Sequence, residues 1–520
     1  MDTGKIKVII IGIIATFVAL YLGISAATAQ FETIAWVLGS GGLIICLALG
    51  RKIWLLIPFM SALSISLRIP GQPDSALVGQ MVVLGFSIPL FLMRKLPIQL
   101  AWREMDLWLL LLTLFVFQVY VRHPVGLNIL GGGSVGGKPY IIYAICLVSG
   151  LLLAALRVPA SDLKWLLRLS ILGGLLNLAF SVLGALVPTI GYYTGGSYTR
   201  SDETNYEAYG KVADTGAATR ISYLGVLGRN LSLWISAYVS PLRACLHPLW
   251  GGLILITVIA TLMSGFRNNF VAVGLTFMCA IAYRSGFSGV NLSLFGAVCG
   301  VAMLAAINMV HPLPPNIQRS LTLLPGTWEQ RYIDDAQYSS KWRMDIWREA
   351  LASDRWIENK WLGDGLGFKA SELASQLTAH AAARTGISGL NDHQETILKN
   401  GDYHSGPVQT IRTIGYMGLM FLLIAQFRLA VHAHRQIQRC KNTEWFPLAL
   451  LIGIPLIWAP LFFIFIFGTF STGTAGLFLG YGLIRLLENN LPLPAYVMRG
   501  RVPLALHTRQ LLAGSAASNR

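Results

Sequence analysis

The chain is 520 residues long, 54% hydrophobic and only 12% charged, with a mean hydropathy of +0.59. Such a chain cannot hide its apolar surface inside one water-soluble core, so lipid has to act as solvent for much of it. The net charge of +16 raises the question of nucleic acid, and its distribution answers it. The stretch from Val310 to Pro407 holds ten Lys and Arg against twelve Asp and Glu, so the surplus sits in short loops beside hydrophobic runs, the positive-inside pattern of membrane proteins.

In chain order, Lys5 and Lys7 precede an apolar run from Val8 to Ile24 that ends near Ala27-Thr28-Ala29. It has the outline of a signal peptide, but its length and the spans that follow predict a retained first helix. About fourteen candidate spans follow from hydropathy and length, twelve being the lower bound. Seven come first, at 8–28, 33–50, 53–67, 75–94, 104–121, 139–156 and 163–187. Four follow at 221–239, 247–263, 268–283 and 289–309, the first of these carrying Arg229 and open to a re-entrant reading. Three close the chain at 408–428, 446–466 and 470–486, before a basic tail from 487 to 520. The fold class expected is therefore all-α: an N-terminal transmembrane bundle over 1–309, a large and mostly helical extracytoplasmic loop over 310–407, and a C-terminal set of spans over 408–486.

Basic residues test that count. With Lys5 inside, Arg51 and Lys52, Arg94 and Lys95, Arg157 and Lys164, Arg243, Arg284 and the group from Arg428 to Lys441 all fall on one side. That side is cytoplasmic, and both termini share it. The loops left outside are 188–220, a short turn at Arg267, and Val310–Pro407. Gly191–Arg220 is rich in Gly, Ser, Thr and Tyr without helical period and is expected to be an irregular flap. The longer loop opens on His311-Pro-Leu-Pro-Pro, then places Trp342, Ile346 and Ala350 four apart with charges between them. That pattern predicts an amphipathic helix over Lys341–Ser353, lying on the membrane or the bundle mouth. Lys369–Arg384 is a second helical stretch. None of the six cysteines falls in this loop, so no disulfide framework is implied there.

Three residues could carry chemistry. Arg267, in Ser264-Gly-Phe-Arg, starts a span, where an arginine is costly unless it snorkels, pairs or faces a polar cavity. Arg343, on the amphipathic helix, has the planar fork that suits phosphate or carboxylate, or else serves a solvated face. His404, in Asp402-Tyr-His-Ser, stands just before a span, where it either caps the helix or accepts a proton near neutral pH. Gly363-Asp-Gly-Leu-Gly lacks the preceding strand and following Gly-Lys-Ser/Thr of a phosphate loop, and predicts a tight turn. His311, His380, His393 and His404, with Asp392, Glu395 and Asp402, show no metal-ligand spacing, so no metal is expected.

Taken in order, these segments carry a resemblance. A span ending in Ser-Gly-Phe-Arg267 is followed by a hydrophobic hairpin and the large loop. The loop holds Arg343-Met-Asp-Ile-Trp-Arg, then Trp361-Leu-Gly-Asp-Gly-Leu-Gly-Phe, then Tyr403-His404, and Val408 to Gly418 open the next span. Over about Leu262–Leu423 this order resembles the O-antigen ligase and O-antigen or exopolysaccharide polymerase superfamily. The family usually has Asn after the histidine, where this chain has Ser405, and about twelve spans.

The resemblance implies a metal-independent, inverting glycosyltransferase with no cofactor, acting at the outer face of a bacterial inner membrane. Its donor would be an undecaprenyl-pyrophosphate-linked glycan and its acceptor a glycan or a lipid-A core, with membrane lipid around it and a chain-length regulator as a further partner. Arg267 and Arg343 would hold the donor's pyrophosphate, and His404 would activate the acceptor hydroxyl. Lys341, Trp347, Arg348 and Tyr403 are the expected further substrate contacts. A flippase or other secondary transporter of lipid-linked oligosaccharide is the alternative, although transporters favour matched halves and a site at the bilayer midplane. A structural scaffold would leave Arg267, Arg343 and His404 without a shared purpose.

Overall fold

The computed structural model describes residues 21, 31–65, 73–99, 101–126, 136–187, 221–369, 397–399, 401 and 403–491. Among these it is all-α, with a single isolated bridge between Ile98 and Leu156 and no strand. Eight of the described helices are long and apolar enough to cross a membrane. The chain is thus a polytopic membrane bundle, in which each span satisfies its own backbone. Nearly all of the predicted first helix, the flap at 188–220, most of the stretch at Lys369–Arg384 and the basic tail beyond Leu491 lie outside the described residues.

The chain divides into two compact units. The smaller, up to Leu55 together with Phe86–Leu96, holds α1 (Phe31–Leu49) and a 3-10 turn at Gly50–Leu55. The larger unit begins with α2 (Leu56–Leu63). The predicted span at 53–67 is therefore a 3-10 turn and then a short helix, not one continuous element. Next come α3 (Ser75–Leu92), which the unit boundary crosses, α4 (Glu104–Arg122), α5 (Lys138–Ala155) and α6 (Ala160–Leu186). Then come α7 (Ser222–Tyr238), α8 (Pro241–Ala244), α9 (Pro248–Met263) and α10 (Arg267–Val310). The long loop supplies α11 (Pro315–Leu321) and α12 (Gln330–Ala352). The chain ends in α13 (Gly406–Cys440), α14 (Phe446–Phe465) and α15 (Phe470–Asn490).

Two helices are longer than a bilayer allows. At 1.5 Å per residue, the 44 residues of α10 would run about 66 Å, twice a hydrocarbon core of about 30 Å. The backbone breaks at Gly286, between the two spans predicted at 268–283 and 289–309. The 35-residue α13 breaks at Gly415 and then continues to Cys440, well past the predicted span end at 428. Its extra turns carry ion pairs that hydropathy cannot register. Arg428 bonds Glu104 of α4 at 2.8 Å, and His432 reaches Glu488 of α15 at 3.3 Å. Arg485, 2% exposed, joins the same group through Glu488 at 2.6 Å. Asp106 of α4 accepts from Tyr481 beside it. A buried charge is tolerated only with such partners. At the other end of α4 and α13, the loop helices gather.

Candidate functional site

The Arg267 side of the site is built on a helix terminus. The last turn of α9 frees backbone carbonyls that need donors. Four in a row are taken from outside the helix. Ser320 Oγ donates to Leu262 O at 2.9 Å, Asn316 Nδ2 to Met263 O at 3.0 Å, the Ile221 amide to Ser264 O at 3.0 Å, and Arg319 Nη1 to Gly265 O. Three of the donors come from α11, which the Pro314-Pro315 start sets in place. Arg319 is 4% exposed, and its Nε also bonds Asp335 of α12 at 2.5 Å. One residue further on, the Ala336 carbonyl accepts from Arg267 Nη2 at 3.3 Å. Arg267 is therefore tied to α12 directly, and through Arg319 a second time.

On α12, successive residues turn by about 100°. Ala336, Arg343, Trp347 and Ala350 consequently share one face, with Trp342 and Ile346 beside it. Arg343 is half-buried there. Ile346 and Ala350 are buried against Trp356, Tyr403, Val408 and Ile411. The predicted amphipathic helix exists, starts eleven residues earlier than Lys341, and packs its apolar face on the first turns of α13. Lys341 and Arg348 point the other way. Lys341 is exposed, and Arg348 is 76% exposed with Asp345 at 3.7 Å. The structure brings Trp347 and Tyr403 to the site but leaves Lys341 and Arg348 on the solvated side.

His404 reaches the same helix from the α13 side. The Trp347 indole donates to the Tyr403 carbonyl at 2.7 Å, fixing the turn that carries the histidine. The His404 ring lies half-buried between Trp342 and Phe467, with both ring centroids 6.1 Å away. Its φ of +51° is in the left-handed region, which costs a side-chain-bearing residue roughly 1–3 kcal/mol and recurs at functional sites. Ser405, where the resembled family has Asn, is buried and caps α13 by accepting from the Val408 amide. Burial pushes the Tyr403 phenol up to about 12, with Arg412 acting against the shift, so the group stays protonated and bonds the Leu398 carbonyl at 3.4 Å. Arg267 and His404 thus both reach α12, the helix that carries Arg343. Arg267 docks on Ala336, seven residues before Arg343 and about 10 Å along the axis, and His404 lies beside the adjacent Trp342.

The glycine-rich turn contributes structure. Gly363 and Gly365 have φ of +81° and +120°, as a tight turn requires. The turn inserts where α13 breaks at Gly415. Asp364 and Gly365 amides donate to the Arg412 and Thr413 carbonyls at 2.7 and 3.1 Å. In return, the Tyr416 and Met417 amides donate to the Lys360 and Trp361 carbonyls at 2.8 and 3.4 Å. Arg122 of α4 holds the outer side, donating to the Leu362 and Gly363 carbonyls at 2.9 and 2.8 Å.

Arg319, Asp335, Arg122 and Arg412 are the site-building residues that sequence reasoning passed over. Only Arg319 carried a signal, an arginine one turn after a Pro-Pro helix start. His380, His393, Asp392, Glu395 and Asp402 lie outside the described residues. No protein-family model matches the chain, and no curated protein is recognisably similar to it in sequence.

Proposed function

We propose that this membrane protein is a glycan transferase of the O-antigen ligase and polymerase type. It would move a glycan from an undecaprenyl-pyrophosphate donor to a sugar hydroxyl at the outer face of a bacterial inner membrane. The observation that carries the reading is that Arg267 and His404 both contact α12, the helix that carries Arg343. Two guanidinium groups and an imidazole at a membrane-side helix are what the reaction calls for. Charge grows on the pyrophosphate oxygens as the glycosidic bond to the lipid breaks, so fixed arginines stabilise the transition state more than the ground state. The imidazole takes the proton of the attacking hydroxyl. Attack opposite the leaving group inverts the anomeric centre, and undecaprenyl pyrophosphate departs.

Purified protein in detergent, given lipid-linked donor and glycan acceptor, is expected to release undecaprenyl pyrophosphate without ATP and in the presence of EDTA. His404→Ala should lose about 100-fold or more of the rate. Arg343→Lys should recover little, because a point charge does not reproduce a bidentate fork. Near-normal turnover by His404→Ala would remove the general-base role. A lengthening ladder of lipid-linked chains would mark a polymerase, and a single transfer to lipid-A core a ligase.

The break in α13 favours a second reading, since interrupted spans line the substrate sites of transporters. Movement of lipid-linked sugar across sealed vesicles, with no new glycosidic bond from native donors, would establish that reading in place of the first.

A further inference from the structure

The turn between α14 and α15 reaches the candidate site, although sequence reasoning assigned that part of the chain only to crossing the membrane. Ile466 to Thr469 join the two helices. Their path starts at the end of α14, where the Phe462 carbonyl accepts from both the Ile466 and the Phe467 amides, at 2.9 and 3.0 Å. One carbonyl serving two donors closes the helix within a single turn.

The turn is then pinned to the start of α13. A Cβ on Gly406 would sit 2.5 Å from the Phe463 carbonyl oxygen, and one on Gly468 would sit 2.6 Å from the Phe463 ring and 3.4 Å from the Gly406 Cα. Glycines at such crossings let two segments approach more closely than side chains allow. The Phe470 amide adds a bond to Gln409 Oε1 of α13 at 3.1 Å. His404 stands two residues before Gly406, and Phe467 one residue before Gly468, so this close approach carries the two rings together.

The His404 imidazole consequently has aromatic neighbours from two different elements. Trp342 of α12 and Phe467 each have a centroid 6.1 Å from it, at interplanar angles of 34° and 27°. Both separations fall in the range of roughly 4.5–7 Å over which ring pairs attract. Trp347 fixes the backbone of the same turn through the Tyr403 carbonyl. The tryptophans therefore hold His404 from α12, and Phe467 holds it from the C-terminal hairpin. A general base has to lie within hydrogen-bond reach of the proton it takes, and a misplacement of about 1 Å can cost about 100-fold in rate.

We infer that Phe467 is a positioning residue of this site, which together with Trp342 sets the tilt of the His404 imidazole. The use of that tilt in proton transfer rests on the transferase reading, whereas the ring contact does not.

Diethyl pyrocarbonate, which acylates imidazole nitrogen, tests the contact on the purified full chain in detergent, with each histidine read by peptide mass spectrometry. In the unaltered protein His404 should react several-fold more slowly than His311, which is exposed. Phe467→Leu keeps the turn apolar and removes the ring, so the His404 rate should rise several-fold while that of His311 stays as it was. Phe467→Tyr should restore the slow rate, because Phe467 is 37% exposed and has room for a hydroxyl. With lipid-linked donor and glycan acceptor, Phe467→Leu should lower kcat about tenfold and leave KM within about twofold. Phe467→Tyr should return kcat to the parent value.

A His404 rate unchanged by Phe467→Leu would overturn the inference whatever the activity of the protein. So would unaltered protein in which His404 reacts as fast as His311, a result that needs no variant to fold. A loss confined to KM would make Phe467 a substrate contact and overturn the positioning role. Absence of transfer by the unaltered protein, with the reactivities as expected, would remove the transferase reading and support the placement of the ring.

Discussion

Where α9 stops, side chains of α11 take up the carbonyls it frees, and where α13 breaks, the backbone of residues 360–365 does the same work. Each repair lies near a candidate site residue. The first fixes the Ser264-Gly-Phe-Arg267 turn, and the second lies one helical stretch below His404. They differ in what can be removed. Side-chain caps can be deleted one at a time, with neighbours still in place. A backbone splice depends on the conformation of a few glycines, and fails as a unit.

The largest effect is therefore expected at Gly415. Its φ of +72° and ψ of 178° belong to glycine alone, and a Cβ there would sit 2.1 Å from the Trp361 carbonyl oxygen. Strain of roughly 1–3 kcal/mol adds to the loss of up to four hydrogen bonds of about 1 kcal/mol each. Gly415→Val should thus cost on the order of 5 kcal/mol. Thermal unfolding in detergent would show it, together with new proteolytic cleavage between Trp361 and Phe368. Melting within a degree or two of the parent protein would mean that the splice contributes little.

Arg319→Ala comes next. It strands Asp335 and the Gly265 carbonyl, and breaking such a buried pair costs about 3 kcal/mol or more. Because the pair also sets Arg267 against α12, donor turnover should fall further than stability alone explains at a temperature where the variant is still folded. Unchanged turnover per folded molecule would confine Arg319 to a structural role.

The smallest effect is expected at the cap. The Ser405 bond to the Val408 amide is long, 3.5 Å. Ser405→Ala should cost only about 0.5–1 kcal/mol, and Ser405→Asn should match the parent protein in melting temperature and turnover. A loss of activity in the Asn variant larger than in the Ala variant would show that the serine does more than cap.

The spans were legible where length and flanking charge agree. The stretches predicted at 75–94, 104–121 and 139–156 are found at Ser75–Leu92, Glu104–Arg122 and Lys138–Ala155. Helix α12 was half legible. Its second half alternates apolar and charged residues at helical spacing, but Gln330 to Ser340 is mostly polar, with only Tyr332 and Ala336 buried. The break in α13 left no signal, since glycine is common in spanning helices and breaks few of them. Arg319 and Asp335 were illegible as a pair because they are sixteen residues apart and meet only after α11 folds back on α9.

The splice at Gly415 also orders events in time. Lys360 to Gly365 leave the ribosome about fifty residues before Gly415 does, so the segment that pairs with the broken helix is already at hand when that helix is made. The turn and the break can then close on each other as α13 enters the bundle, so the freed carbonyls need not stay bare in lipid. The converse is a limit on dissection. A peptide covering residues 310–407 would carry half of a backbone pairing whose other half lies beyond its end. Its turn should therefore stay open until the rest of α13 is supplied in trans.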